Sequence, residues 1–491
     1  MLGTHEDGKE GGHDCDRTQP YTCFSTTKKR LIVFLVAVAG FFSPFSAFIF
    51  FPAIDDVAAA LRTTVQLVNL TITLYLIIQG VVPSVFGEVS ERFGRRPTYL
   101  TVLIIYVTAS IGLALQDSYG ALLVLRMLQS AGSSGTIALA YGVIADIAAP
   151  HERGGYVGAA HVGFNSAPSL GPILGGVLTQ KTGWKSIFWF MAGLASLVLI
   201  LILLLLPETS RSLVDNGRLS PTGINRALVD LARRHRGEEQ IQMHRARLKV
   251  PSIMPPLRII FQRGTGTVMA SNAVFYMKYS CVLASLAPLL QELHELSVLQ
   301  SGLCYLSFGV SCAAASYGVG QIANYDYRAT ARAHGLAVDR VKGDELLQFP
   351  IEKARLRTIW VYIFLSSSCT LGYGWSVESR THLAAPLSML FLIGFAVTGI
   401  FNVLNTLVVD LNPHQPATAS AAVSITRCLC AAAGVSVLQL LFNAIGPGWT
   451  FTVISALCFL TVPPLWLERQ SGWERRLAKA QAQSRQAELH G

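Results

Sequence analysis

The chain has 491 residues, of which 51% are hydrophobic and only 14% charged, with a formal charge of +10. Soluble domains carry about 25% charged residues, so the composition excludes a soluble enzyme. The apolar residues fall in blocks long enough to cross a bilayer, about 20 residues each, which makes this a polytopic membrane protein.

Residues 1–30 are polar and aperiodic and read as a disordered cytoplasmic tail. Six candidate spans follow at 31–54, 66–86, 98–116, 121–146, 157–180 and 186–206, forming an N-terminal half over 31–206. A polar central loop, 207–265, leads to six more at 266–291, 297–323, 358–377, 383–409, 417–444 and 448–467. This C-terminal half, 266–467, carries a cytoplasmic insert at 324–357 and ends in a cytoplasmic tail, 468–491. Length and the lack of period-two alternation favour helices over barrel strands. The first span has no small-residue cleavage pattern and reads as retained. In the central loop Ile224, Leu228 and Leu231 recur at helical spacing beside Arg226, Arg233, Arg234 and Arg236. Either an amphipathic helix on the inner leaflet or a solvated linker helix fits that pattern.

With both termini inside, the inner segments hold 32 of the 39 Lys and Arg residues and the outer loops hold 4. That imbalance sets the termini in the cytoplasm. The net positive charge then belongs to the cytoplasmic face, and no nucleic-acid partner is needed to explain it. Of the nine Cys, seven lie in spans and two in the cytoplasmic tail, where thiols stay reduced. No CxxC or HExxH spacing occurs, so neither a metal site nor another cofactor is expected.

Three stretches carry recognisable mechanics. Gly87-Glu88-Val89-Ser90-Glu91-Arg92-Phe93-Gly94-Arg95-Arg96 joins spans 2 and 3. Gly87 would permit close helix approach, Gly94 a tight turn, and the Arg pair would hold the loop inside. Arg126-Met127-Leu128-Gln129-Ser130-Ala131-Gly132 lies in span 4. In Gly171-Pro172-Ile173-Leu174-Gly175-Gly176, within span 5, Pro172 removes a backbone donor, and Gly171 and Gly175 stand one turn apart as a small-residue face.

These stretches resemble the G-x-x-x-D-R-x-G-R-R/K, R-x-x-Q-G-x-G and G-P-x-x-G-G signatures of the major facilitator superfamily, the last typical of its antiporter branch. The insert, with Asn324-Tyr325-Asp326-Tyr327-Arg328 and Phe349-Pro350-Ile351-Glu352-Lys353-Ala354-Arg355, resembles that of fungal drug:proton antiporters of the quinidine-resistance type. So does Leu206-Pro207-Glu208-Thr209, and the resemblance covers about 31–468. It implies an all-α fold of twelve transmembrane helices in two six-helix halves. It also implies an inner charge lock made by Glu91, Arg92 and Arg95, for which Asp146 is the candidate partner, and a proton-coupling role for Arg126. The sequence departs from the pattern at Glu91 (Asp in the family), at Ser130 (Gly), and at Val423 and Ser424, where the relatives carry Asn before the Arg427-Cys428 pair. Substrate choice is therefore not carried over.

An ionisable residue at mid-bilayer costs about 2.5–3.5 kcal/mol on insertion scales, so such residues are functional candidates. Arg126, Lys278 and Arg427 qualify; for each a structural role is the alternative, with hydroxyls and backbone carbonyls satisfying the charge within helix contacts. Lys278 lies too deep in span 7 to snorkel. No acid lies at comparable depth, so at least one of these cations should face a watered cavity, which would favour anionic substrates. Lys278 is expected to point into it. Span 10 adds a polar stripe of Thr398, Asn402 and Asn405, placed in the cavity by the family's use of spans 1, 4, 7 and 10; interhelical bonding is the alternative. Tyr75 and Gln79 share a face of span 2. The sequon Asn69-Leu70-Thr71 sits inside the start of span 2, too near the membrane for ready glycosylation.

The expected function is secondary active transport: export of a small organic compound (a secondary metabolite, toxin or drug) in exchange for protons, by a monomer in the plasma membrane. No G-x-x-x-x-G-K-[ST] loop supports an ATP-driven pump. An uptake carrier for an organic acid or polyamine is the alternative. A membrane enzyme would need clustered His or acids at a membrane face, and the sequence offers none.

Overall fold

The computed structural model describes residues 22–148, 150–214, 254–333, 349–412 and 415–490. Helices dominate, and no strand occurs among the described residues. The long helices are α1 (Thr26–Phe48), α2 (Val65–Phe93), α3 (Arg95–Leu115), α4 (Tyr119–Ile147), α5 (Pro150–Thr182), α6 (Lys185–Leu205), α7 (Thr265–His294), α8 (Val298–Ala333), α9 (Ile359–Glu378), α10 (Ala384–Leu411), α11 (Pro416–Phe459) and α12 (Val462–His490).

Local chemistry sets several of these boundaries. Ser25, Thr64 and Ser118 cap α1, α2 and α4, each side-chain oxygen accepting from a backbone N–H three residues on at 3.3 Å. The Ser25 cap starts α1 at Thr26, so the end of the segment expected to be a disordered tail is helical. Gly446 breaks α11 with a φ of 77°, and Pro447 follows it. The first arm of α11 corresponds to the span expected at 417–444, and the second arm together with the start of α12 to that expected at 448–467. Glu378, at the C-terminal end of α9, accepts from the Gly448 N–H at 3.1 Å and so holds the break. α8 continues as helix into the insert as far as Ala333, and α12 carries the helical path far beyond residue 468. The stretch read as a basic amphipathic or linker helix, 224–236, and most of the 1–30 tail lie outside the described residues.

Among the described residues, eight helical stretches are long and apolar enough to cross a membrane on length and composition, one of them running through both arms of α11 into α12. α4, α5 and α9 fall short because they carry polar or small-residue runs such as Gln129–Gly135, the Gly- and Pro-rich stretch 163–172, and Ser366–Ser368.

Two six-helix halves pack by the same scheme. In the first, α1 meets α4 and α5, α2 meets α4, and α3 meets α4 and α6; in the second, α7 meets α10 and α11, α8 meets α10, and α9 meets α10 and α11. The halves join along two seams, α2 against α11 and α5 against α8. Small residues make both seams possible. A Cβ on Gly80 of α2 would lie 3.0 Å from that of Cys428, and one on Gly302 of α8 would lie 2.5 Å from the Pro172 carbonyl oxygen.

Candidate functional site: the cavity between the halves and the inner charge clusters

A pocket between the halves is lined by α1, α2, α4, α7 and α11, with Tyr75, Gln79, Arg126, Tyr276 and Ser280 as its polar groups. Its volume, about 30 Å³, admits a water or two rather than an organic molecule. The pocket is thus nearly closed.

Arg126 projects into it from α4 and is fully buried. Its guanidinium carbon lies 4.6 Å from the ring centres of both Phe50 and Tyr75, a double cation–π contact. Nη1 donates to Gln129 Oε1 at 2.8 Å and to the Ser46 carbonyl at 3.3 Å, whereas Nε and Nη2 have no hydrogen-bond partner. No carboxylate lies within salt-bridge distance of Arg126 among the described residues, so the structural ion-pair alternative finds no partner there. Tyr75 is fixed by its hydroxyl, 2.9 Å from Ser133 Oγ and donating to the Ser43 carbonyl at 3.1 Å. Gln79 Nε2 donates to Ser43 Oγ at 3.1 Å. These two residues share the cavity face, matching their spacing on span 2. Arg427 of α11 places its guanidinium 4.9 Å from the Tyr276 ring centre, and its Nε is buried without a partner.

Lys278 does not point into this cavity. It is fully buried inside the second half, where Nζ bonds Ser366 Oγ of α9 and lies 5.2 Å from the Phe275 ring centre. The two Asn of span 10 also separate. Asn405 Oδ1 accepts from Asn272 of α7 at 2.7 Å, an interhelical bond. Asn402 is exposed and lines a different pocket with Asp326, Thr358 and Tyr362. The stripe sits at the edge of the α7 contact, and its members fall on either side. Asn69 is 7% exposed and its Oδ1 is buried, a poor position for a glycan acceptor.

At the end of the bundle expected to face the cytoplasm, Arg95 Nε donates to Asp146 Oδ2 at 2.9 Å, tying the start of α3 to the end of α4. Nη1 donates to Ser90 Oγ at 2.6 Å. Gly142 leaves room for the guanidinium, since a Cβ there would lie 2.7 Å from Arg95 Cζ. Glu91 is exposed, and Arg92 pairs with Glu88 along the helix at 3.9 Å. Gly87 is not a close-approach point either: a Cβ there would have no neighbour within 4 Å, because the seam with α11 is made at Gly80.

Glu208, just after α6, joins this cluster. Its carboxylate accepts from the backbone N–H groups of Arg95, Arg96, Thr209 and Ser210 at 2.8–3.2 Å. It therefore caps the start of α3 from the segment that follows α6. Burial holds this carboxyl above its usual range, and the backbone donors pull it back down. Gly94, with a φ of 106°, is required here because a Cβ would collide with Glu208 Oε2.

The second half repeats the contact. Arg355, just before α9, donates through Nε to Asp410 Oδ2 at the end of α10, at 3.0 Å. The short helix Ile351–Arg355 that carries it is held from α12: Arg476 Nη2 donates to the Phe349 carbonyl at 2.7 Å and to buried Glu352 at 3.1 Å.

At the opposite end of the bundle, α5 closes on both neighbours. A Cβ on Gly171 would lie 3.0 Å from Ile49 N, and one on Gly175 would overlap the Ile49 carbonyl oxygen just past the end of α1. A Cβ on Gly176 would lie 2.8 Å from the Val298 carbonyl at the start of α8.

Residues 36–435 match the family described as Major Facilitator Superfamily. The chain belongs to the major facilitator superfamily. It is therefore a multi-pass membrane transporter rather than an enzyme. It is 36% identical over 477 residues to Citrate exporter 1 of Aspergillus niger, covering 94% of this chain and 90% of that one. It is 35% identical to the MFS-type transporter tstD of Talaromyces stipitatus, covering 97% of this chain and 88% of that one. Among solved structures, the xylose transporter XylE from E. coli in a partially occluded inward-open conformation gives a TM-score of 0.63 at 13% identity, covering 91% of this chain and 98% of that one. The human organic anion transporter MFSD10 gives 0.59 at 19% identity, covering 89% and 99%. At those identities the structures speak for the fold alone.

Proposed function

We propose that this superfamily member exports a small organic compound bearing a carboxylate or acidic phenol across the plasma membrane, in exchange for protons and as a monomer with both termini in the cytoplasm. The observation that carries this reading is Arg126: a buried guanidinium facing the cavity between the halves, with two N–H-bearing nitrogens unpartnered and, among the described residues, no acid beside it. Charge-assisted hydrogen bonds to a planar anion are what such a fork supplies. A citrate exporter among the relatives supports an anionic cargo.

In this reading the halves rock about the nearly closed cavity, and the Arg95–Asp146 and Arg355–Asp410 pairs stabilise one of the two states. Arg95→Ala removes one contact from that state alone. Transport should fall several-fold while protein abundance stays near normal, and adding Arg355→Ala should lower it further. Unchanged transport in the double variant would make both pairs incidental.

Transport of matched anionic and cationic compounds into inside-out vesicles tests the substrate class. Uptake restricted to the anion, and lost when the proton gradient is collapsed, is the expected result. Preference for the cation would favour a polyamine carrier on the same fold.

A further inference from the structure

We propose that the protein carries a binding site for the phosphate headgroup of an anionic membrane lipid, in the groove between the short helix Ile351–Arg355 and α12. The proposal rests on this end of the bundle meeting the membrane's inner surface. The groove, of about 430 Å³, is lined by Lys353, Trp466, Arg469 and Gln470. Two cations, an amide and an indole are a headgroup's donor set, and the volume suits a phosphate with its first substituent.

The distribution of charge around it is selective. The same two elements carry the acids Glu352 and Glu468, yet neither opens into the groove. Glu352 is fully buried and bound by Arg476, and Glu468, with its side chain 5% exposed, is bound by Arg475 at 2.7 Å. Both carboxylates are thus neutralised behind the groove by a second set of arginines. Lys353 and Arg469 have no carboxylate within salt-bridge distance among the described residues. Lys353 is steered by the Trp473 ring, 5.8 Å from its Nζ. Trp466 is 48% exposed, and Leu460 and Leu467 beside it are 68% and 56% exposed. An exposed indole flanked by exposed leucines, where the second arm of α11 passes into α12, is the composition of a membrane interface. An acyl chain can lie on the leucines while the headgroup reaches the cations.

The test compares wild type with the Lys353→Gln, Arg469→Gln double variant, neither residue belonging to the cavity or the Arg–Asp pairs. Each is purified into nanodiscs of phosphatidylcholine with or without phosphatidylglycerol, and bound lipid is counted by native mass spectrometry after release into detergent. Wild type should retain phosphatidylglycerol preferentially. The variant should retain about 25-fold less, each Lys or Arg near a surface being worth about fivefold, and both should melt at the same temperature in phosphatidylcholine alone. Equal retention by the two proteins would overturn the proposal. So would displacement of the lipid by millimolar inorganic phosphate, which would mark the groove as a site for a soluble anion. The readout needs no transport, so its failure is separate from failure of the export reading.

Discussion

Gly175→Leu is expected to abolish transport. The glycine stands where a Cβ would already overlap the Ile49 carbonyl oxygen, and backbone cannot move aside as a flexible side-chain tip can. Overpacking of a tight contact costs about 1–3 kcal/mol, and here it falls on the outer closure of α5 against α1. Gly175→Ala should give a graded loss, because it adds the colliding atom without the rest of the side chain. Protein yield and monodispersity are to be measured beside transport. Full activity in the Leu variant would mean that the outer seam is not part of the transport cycle.

Arg126→Ala is expected to lower the apparent affinity for an anionic cargo by about 10- to 100-fold, the worth of one charge-assisted hydrogen-bond donor group at about 1.5–3 kcal/mol. It also strips Gln129 Oε1 and the Ser46 carbonyl of their donor, so a modest loss of thermal stability should accompany it. Arg126→Lys distinguishes charge from geometry: the lysine keeps the charge but not the fork. It should recover part of the affinity and little of the discrimination between planar and tetrahedral anions. Anion affinity unchanged in Arg126→Ala would remove this residue from the substrate path. Lys278→Ala, by contrast, should leave affinity nearly untouched, since that side chain is committed to Ser366 away from the cavity.

The contrast between these two cations defines what was legible beforehand. Depth along a hydrophobic run is readable from position, and both residues are fully buried. Direction is not, because a helix buried on most sides has no strong polar face to orient it. Arg126 had neighbours that supplied one: Gln129, which accepts from it, and Ser130, which donates to the Tyr75 carbonyl at 2.7 Å. Lys278 had apolar neighbours and Ser366 far along the chain. The Arg95–Asp146 contact could be anticipated because a loop of a few residues leaves Arg95 little choice of partner. Glu208 could not, although an acid directly after Pro207 at the end of a span was a usable signal, since buried carboxylates need donors. Arg355–Asp410 was hidden by the insert, which separates α8 from α9 and disguises a junction that is immediate between α2 and α3. The break in α11 was visible in Gly446-Pro447-Gly448, whereas the hold that Glu378 keeps on it is a long-range contact that no local pattern encodes.

The proposed activity is proton-driven export of an anion through the Arg126 cavity. Purified protein in liposomes, with citrate as probe and an imposed pH gradient, tests it most directly through a coupled signal: movement of the anion one way and of protons the other, followed together. The account predicts citrate accumulation driven by the gradient, a matching proton flux that depends on citrate, and loss of both in Arg126→Ala. Citrate movement that ignores the pH gradient, or a coupled flux that survives Arg126→Ala intact, would contradict it.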